Sequence, residues 1–165
     1  GSLGVFALSL SSEFDAVYCY EPHPSTFRML AANVPNDNVY LVQGALGNER
    51  VRVETAKARR HKKHLPPHDG VTHVVGSGLI PTFRVDDLGL DDLDLLVLDT
   101  EGHEFYALMG AEQTIWRCRP AIMIEINEHC SFYGLTPDDL RTWLRIHEYD
   151  LQFREHSDEV WTCRR

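Results

Sequence analysis

The run Leu95-Leu96-Val97-Leu98 stops at Asp99-Thr100-Glu101-Gly102-His103-Glu104. Successive side chains of a strand point to opposite faces, so an unbroken apolar run needs cover on both sides. A second such run, Ala121-Ile122-Met123-Ile124-Glu125-Ile126, opens after Pro120. Strands of this kind belong in a sheet with helices packed on it. Where a strand ends in acids, the acids stand at the rim of the sheet, which is where open α/β folds bind ligands.

The rest of the chain supplies the helices. Leu3, Phe6, Ala7 and Leu10 have helical spacing. Val17–Tyr20 reads as a short strand closed by Glu21-Pro22. A helix is expected from about Ser25, as N-cap, to Asn33, where Pro35 stops it. Val39–Val42 is the next strand, ending at Gln43-Gly44-Ala45-Leu46. Val51 and Val53 alternate with Arg52 and Glu54, as in a half-exposed antiparallel strand. Thr82–Val85 reads as a further strand, and Asp86-Asp87-Leu88 starts a short turn or helix. One helix is expected from about Glu104 to Trp116, with Phe105, Leu108, Ala111 and Ile115 inward. Thr136-Pro137-Asp138-Asp139 is a helix start: the hydroxyl caps free amides and the acids meet the positive helix end. Leu151–Arg154 and Val160–Cys163 form a closing antiparallel hairpin, joined through His156-Ser157-Asp158-Glu159. The expected architecture is α/β, mostly parallel with a C-terminal antiparallel hairpin, in a single domain over 1–165.

Composition sets limits on partners. The 165 residues carry a formal charge of −9, which argues against an overall footprint for nucleic acid or anionic membrane. The basic segment from Lys57 to Lys63 reads as a solvated face on a surface loop, so nucleic acid is not an expected partner. No apolar run approaches the ~20 residues of a membrane span. The four cysteines, Cys19, Cys118, Cys130 and Cys163, form no C-x-x-C pair and read as reduced thiols of a cytoplasmic protein.

Three groups of polar residues are candidates for chemistry. Glu21 follows a strand and precedes a helix, where a carboxylate can accept from two ribose hydroxyls. Asp99 ends a buried strand and suffers desolvation unless paired. Gly102 lets the backbone bend or approach a ligand closely. His103 is either a general base or a surface residue at a helix start, and Glu104 serves the helix N-terminus. Glu125, in an apolar run, needs a partner. With Asp99 and Glu101 it offers a hard-cation or acceptor-hydroxyl site. The mixture of Glu and His also suits a transition metal, but no ligand spacing is diagnostic, so no metal ligand is assigned.

Taken in order, these residues resemble the FkbM-type methyltransferases. The front half of the resemblance is Val17-Tyr18-Cys19-Tyr20-Glu21-Pro22-His23-Pro24, Phe27, Leu30, Asn33, Val42 and Gly44-Ala45-Leu46-Gly47. The second half is Leu98 to Glu104, Leu108-Met109-Gly110-Ala111, Arg119-Pro120 and Ile124-Glu125-Ile126. The resemblance implies a Rossmann-like class I methyltransferase fold that uses S-adenosylmethionine and methylates a hydroxyl of a sugar or secondary metabolite, a small-molecule or glycan acceptor. It implies cofactor contacts at Gly4, Glu21, Pro22, Gly44, Ala45, Leu46 and Asp99. It places Glu101 and Glu125 on the acceptor side and makes Asp99 or His103 the proton acceptor. The family's first strand and D-x-G-A-N-x-G loop are expected before the first helix. Gly1 to Phe6 resembles only the tail of that loop, with Gly4 as its last glycine. The expectation is therefore a truncated chain lacking the first strand, with part of the cofactor cradle removed. A non-catalytic α/β interaction module that has lost cofactor binding is the alternative.

Overall fold

The computed structural model describes residues 2–57 and 72–164. Of the basic segment, Lys57 ends a strand and the remainder lies outside the described residues. The described elements run α1 Val5–Leu10, β1 Val17–Tyr20, α2 Pro24–Asn33, β2 Val39–Val42, β3 Ala45–Leu46, β4 Arg52–Lys57, β5 Thr72–Phe83 and a 3₁₀ helix Val85–Leu88. They continue with β6 Leu95–Leu98, α3 Glu104–Met109, α4 Glu112–Cys118, β7 Ala121–Glu125, a 3₁₀ helix Glu128–Tyr133, α5 Pro137–Ile146, β8 Tyr149–Glu155 and β9 Asp158–Cys163.

Parallel and antiparallel pairing are mixed, which corrects the expectation of a mostly parallel sheet. Strands β1 and β2 pair in parallel. Strand β5 pairs in parallel with β3 and antiparallel with β4. In the largest sheet the order is β6-β7-β9-β8, and the β6–β7 pair is parallel. Strand β9 runs antiparallel to both β7 and β8, as the closing hairpin requires. Among the described residues β1 has one strand neighbour, β2, and β6 has one, β7. The antiparallel share is larger than expected because β5 spans twelve residues rather than the short run Thr82–Val85. Its glycines Gly76 and Gly78 hide that strand from a propensity reading.

The main core lies over the largest sheet. Leu96, Leu98, Ile122 and Ile124 are buried there with Leu108, Ala111, Ile115, Leu140, Leu144 and Trp161. The alternate residues Leu95, Val97, Ala121 and Met123 are half-buried, so dense packing sits on one face rather than both. A smaller cluster joins Ala7, Cys19, Leu30 and Val34, and a third joins Ala45, Val53, Val74 and Ile80. All four cysteines are free thiols, and burial pushes the Cys19 thiol up.

Local signals held where capping chemistry was explicit. Thr136 and Asp139 form a reciprocal capping box at the start of α5. At α2 the cap position is His23, not Ser25, and Pro24 occupies the first turn. Ser25 instead puts its hydroxyl 2.9 Å from His23 Nδ1.

The expected helix Glu104–Trp116 is two helices. Gly110 has ordinary helical angles, φ −76° and ψ −7°. The break arises because a third segment docks there: Asp86 N–H donates to the Gly110 carbonyl at 3.0 Å, and Thr114 N–H donates to Asp86 Oδ1 at 2.8 Å. A carboxylate distant in sequence thereby caps α4.

Candidate active site

The acidic loop after β6 turns sharply. Glu101 has φ 56° and Gly102 φ 102°, two successive left-handed residues. A Cβ on Gly102 would stand 2.5 Å from the His129 carbonyl oxygen, so this glycine serves both the turn and the close approach. Glu104 is buried, and its Oε1 accepts from Thr100 N–H at 2.7 Å, Thr100 Oγ1 at 3.0 Å and Gly102 N–H at 3.1 Å. It staples the loop from inside. Burial nevertheless holds its carboxyl above the ordinary range, and those hydrogen bonds offset the effect only in part.

Asp99 reaches solvent at the tip of β6, yet surrounding protein desolvates its carboxyl and Asp158 adds like charge, so it too is raised. Glu101 is raised by burial, then by Glu125 and Asp99, against the opposing contact with His129. That contact is 3.0 Å from Glu101 Oε2 to His129 Nδ1. Glu125 ends β7 and accepts from Ser157 Oγ at 3.1 Å, the partner its apolar setting required. One ligand atom each from Glu101, Glu125 and His129 lies within 4.8 Å of the others. The backbone N–H of His129 donates to Asn127 Oδ1 at 2.7 Å, so Asn127 caps the 3₁₀ helix. His129 belongs to the mixture of Glu and His that suits a transition metal but in which the sequence leaves no metal ligand assigned. Its position four residues after Glu125 was the available signal.

His103 faces a different space. Its Nδ1 lies 3.0 Å from the Leu46 carbonyl oxygen. A carbonyl only accepts, so Nδ1 carries the proton and Nε2 is left as the basic nitrogen. Burial lowers the pKa of the ring, which favours the neutral form. The ring stacks on Tyr106 and meets Tyr133 edge-on, at 4.9 and 5.2 Å between centroids. With Asn48, His73 and Phe132 these residues line a cavity of about 350 Å³. Phe132 stacks on both His73 and His129, so one ring separates this cavity from the Glu101–Glu125–His129 cluster. Tyr106, Tyr133, His73 and Phe132 were missed from sequence. They come from three elements, and no local pattern unites them.

Glu21 follows the end of β1. It is buried, and its two carboxylate oxygens accept from Ser2 N–H and His23 N–H, each at 2.9 Å. Glu21 N–H donates to the Val42 carbonyl, and Gly44 N–H to the Glu21 carbonyl. The strand ends of β1 and β2 are therefore tied together. From Gly44 the chain enters β3, Ala45–Leu46, whose Leu46 carbonyl holds His103. Gly44 and Ala45 are buried, Pro22 is half-buried, and Gly4 is buried at the start of α1 with φ 92°.

Residues 13–151 match the profile of the Methyltransferase FkbM domain. The chain belongs to that family. Its fold is similar to the crystal structure of Methyltransferase FkbM from Methylobacillus flagellatus KT, with a TM-score of 0.63 at 18% sequence identity. That match covers 98% of this chain and 41% of the other, so the chain spans about two-fifths of that protein's length. No curated protein matches the chain. In this FkbM domain β3 lies between two contacts, that of Gly44 N–H with the Glu21 carbonyl and that of the Leu46 carbonyl with His103. No helix among the described residues is long and apolar enough to cross a membrane.

Proposed function

We propose that this FkbM domain transfers a methyl group from S-adenosylmethionine to a hydroxyl of a sugar or secondary metabolite. The observation that carries this reading is the family match over residues 13–151. The residues present fit such a cofactor. Glu21 offers two carboxylate oxygens, the acceptor capacity that a ribose diol needs. By the family resemblance, Gly4, Pro22, Gly44, Ala45 and Leu46 would complete the cofactor contacts. Asp99, with Glu101 and Glu125 behind it, supplies negative charge suited to a sulfonium. Among the described residues neither Glu101 nor Glu125 pairs with a Lys or Arg side chain.

Bound S-adenosylmethionine would supply an electrophilic methyl group. The chain's own part is to hold the acceptor hydroxyl in line and to receive its proton. Of the two proton acceptors expected from sequence, we favour His103. Leu46 fixes its tautomer, and burial keeps Nε2 unprotonated near neutral pH. The adjoining cavity, walled by Tyr106, Tyr133 and Phe132, would take the body of the acceptor, and Glu101 and Glu125, on the far side of Phe132, would serve its acceptor side as the family resemblance implies. A cytoplasmic setting accords with four free thiols.

Calorimetric titration of S-adenosylhomocysteine into the protein tests this reading. We expect saturable one-to-one binding, weakened at least tenfold by Glu21→Gln. A flat titration by folded protein overturns it in favour of a non-catalytic module.

A further inference from the structure

We propose that Glu101, Glu125 and His129 bind a divalent first-row metal ion through one oxygen of each carboxylate and the imidazole Nδ1. The donors come from three separate places: the turn after β6, the end of β7 and the 3₁₀ helix that follows it. Their ligand atoms already lie within 4.8 Å of one another. Two ligands ~2.1 Å from one ion stand at most ~4.2 Å apart, so small rotations of the glutamate side chains complete the set. The set of two oxygens and one imidazole nitrogen suits Mn²⁺, Fe²⁺ or Zn²⁺ better than Ca²⁺, which takes about six to eight oxygens.

Charge points the same way. Glu101 feels like charge from Glu125 and Asp99. Among the described residues its one ion-pair partner is His129, and no guanidinium or ammonium answers either glutamate. A cation between them relieves that repulsion.

The ligands are also held by groups outside the trio. Ser157 Oγ orients Glu125, Asn127 Oδ1 holds the His129 backbone, and Phe132 lies parallel to the imidazole at 5.6 Å. Gly102 brings the turn carrying Glu101 directly against the His129 carbonyl. Such outer contacts are what orients ligands in a working metal site. Three protein ligands leave further positions on the ion open. The metal binding does not rest on the proposed function.

Titrating Mn²⁺ into the protein and following the free-ion signal by electron paramagnetic resonance, without cofactor, tests the site. We expect one Mn²⁺ per chain, displaced by Zn²⁺. Glu125→Gln and His129→Ala should each weaken binding at least tenfold. Glu128→Gln, on an exposed neighbour in the same 3₁₀ helix, should leave it unchanged. An undiminished free-ion signal at millimolar Mn²⁺, with wild-type protein folded by circular dichroism, overturns the site. So does equal binding by all three variants. Either result leaves the S-adenosylhomocysteine titration intact, so the two proposals fail separately.

Discussion

Glu104, read from sequence as serving a helix N-terminus, is a buried side chain that holds the turn before that helix. Its Oε1 gathers three donors from the turn that carries Glu101 and Gly102. Glu104→Ala strands those donors and should cost roughly 2–4 kcal/mol of unfolding free energy. Glu104→Gln keeps an acceptor oxygen and should cost far less. The pH dependence follows from burial, which raises this carboxyl in the folded state above its ordinary value of 4.5. In the interval above 4.5 the folded chain holds a proton that the unfolded chain has lost. The linked stability is therefore present at low pH and declines as pH rises through the folded value. Urea unfolding at a series of pH values should show that decline in wild type and a smaller one in Glu104→Gln. Parallel profiles would show that Glu104 does not titrate as burial requires. The separation of His103 from the carboxylates was not legible in sequence, because Asp99 to Glu104 reads as one cluster. Two left-handed residues split it, and periodicity carries no signal for a non-glycine such as Glu101 with positive φ.

At the scale of elements, what sequence revealed and what it hid are both clear along α3 and α4. The apolar spacing of Phe105, Leu108, Ala111 and Ile115 gave the right buried face. It could not give the break, which comes from Asp86 in a distant segment and from the close approach of Gly47 to Gly110. Likewise the Thr136 cap was readable because its donors and acceptors lie within four residues, whereas β5 was not, because its pairing with β4 and β3 is remote. Gly110 provides a test in which propensity and packing disagree in sign. Its backbone suits alanine, and in a helix interior alanine gains about 1 kcal/mol over glycine. A Cβ there, however, would overlap the backbone carbonyl oxygen of Gly47, which has no rotamer through which to move away. Gly110→Ala should therefore destabilise by roughly 3 kcal/mol, as strong overpacking does. It should also displace β3 and loosen the bond from His103 to Leu46. Chemical denaturation measures the first effect, and the imidazole resonances of His103 report the second. A stabilised Gly110→Ala would show that the helix break is not held by this contact.

For the whole molecule, the question is what fastens the C-terminal hairpin and α5 to the sheet that carries the site. Sequence assigned Glu159 to a polar connection, but it lies inside β9 and is fully buried. A lone acid amid strand residues gives no hint of its partner eighteen positions earlier. Arg141 of α5 closes on Glu159 Oε1 through Nε and Nη2, both at 2.9 Å. Trp161 Nε1 donates to Oε2 at 3.0 Å, and Arg154 of β8 approaches Oε1 at 3.4 Å. One carboxylate thus joins α5, β8 and β9 behind β7, whose end carries Glu125. Arg141→Ala removes the forked donor and leaves the carboxylate buried with less compensation, which should cost roughly 3 kcal/mol. Arg141→Lys keeps the charge but loses the fork, so its loss should be intermediate. The paired change Arg141→Met with Glu159→Gln removes both charges, and it should recover much of what Arg141→Ala loses. Because the pair is shielded from solvent, these differences should persist in high salt, unlike those of surface pairs such as Arg50–Asp87. Urea unfolding of the three variants at low and high salt checks the order. If Arg141→Ala were neutral, α5 would be held by the apolar contacts of Leu140 and Leu144 alone, and the buried acid would not be the joint between the helix and the sheet.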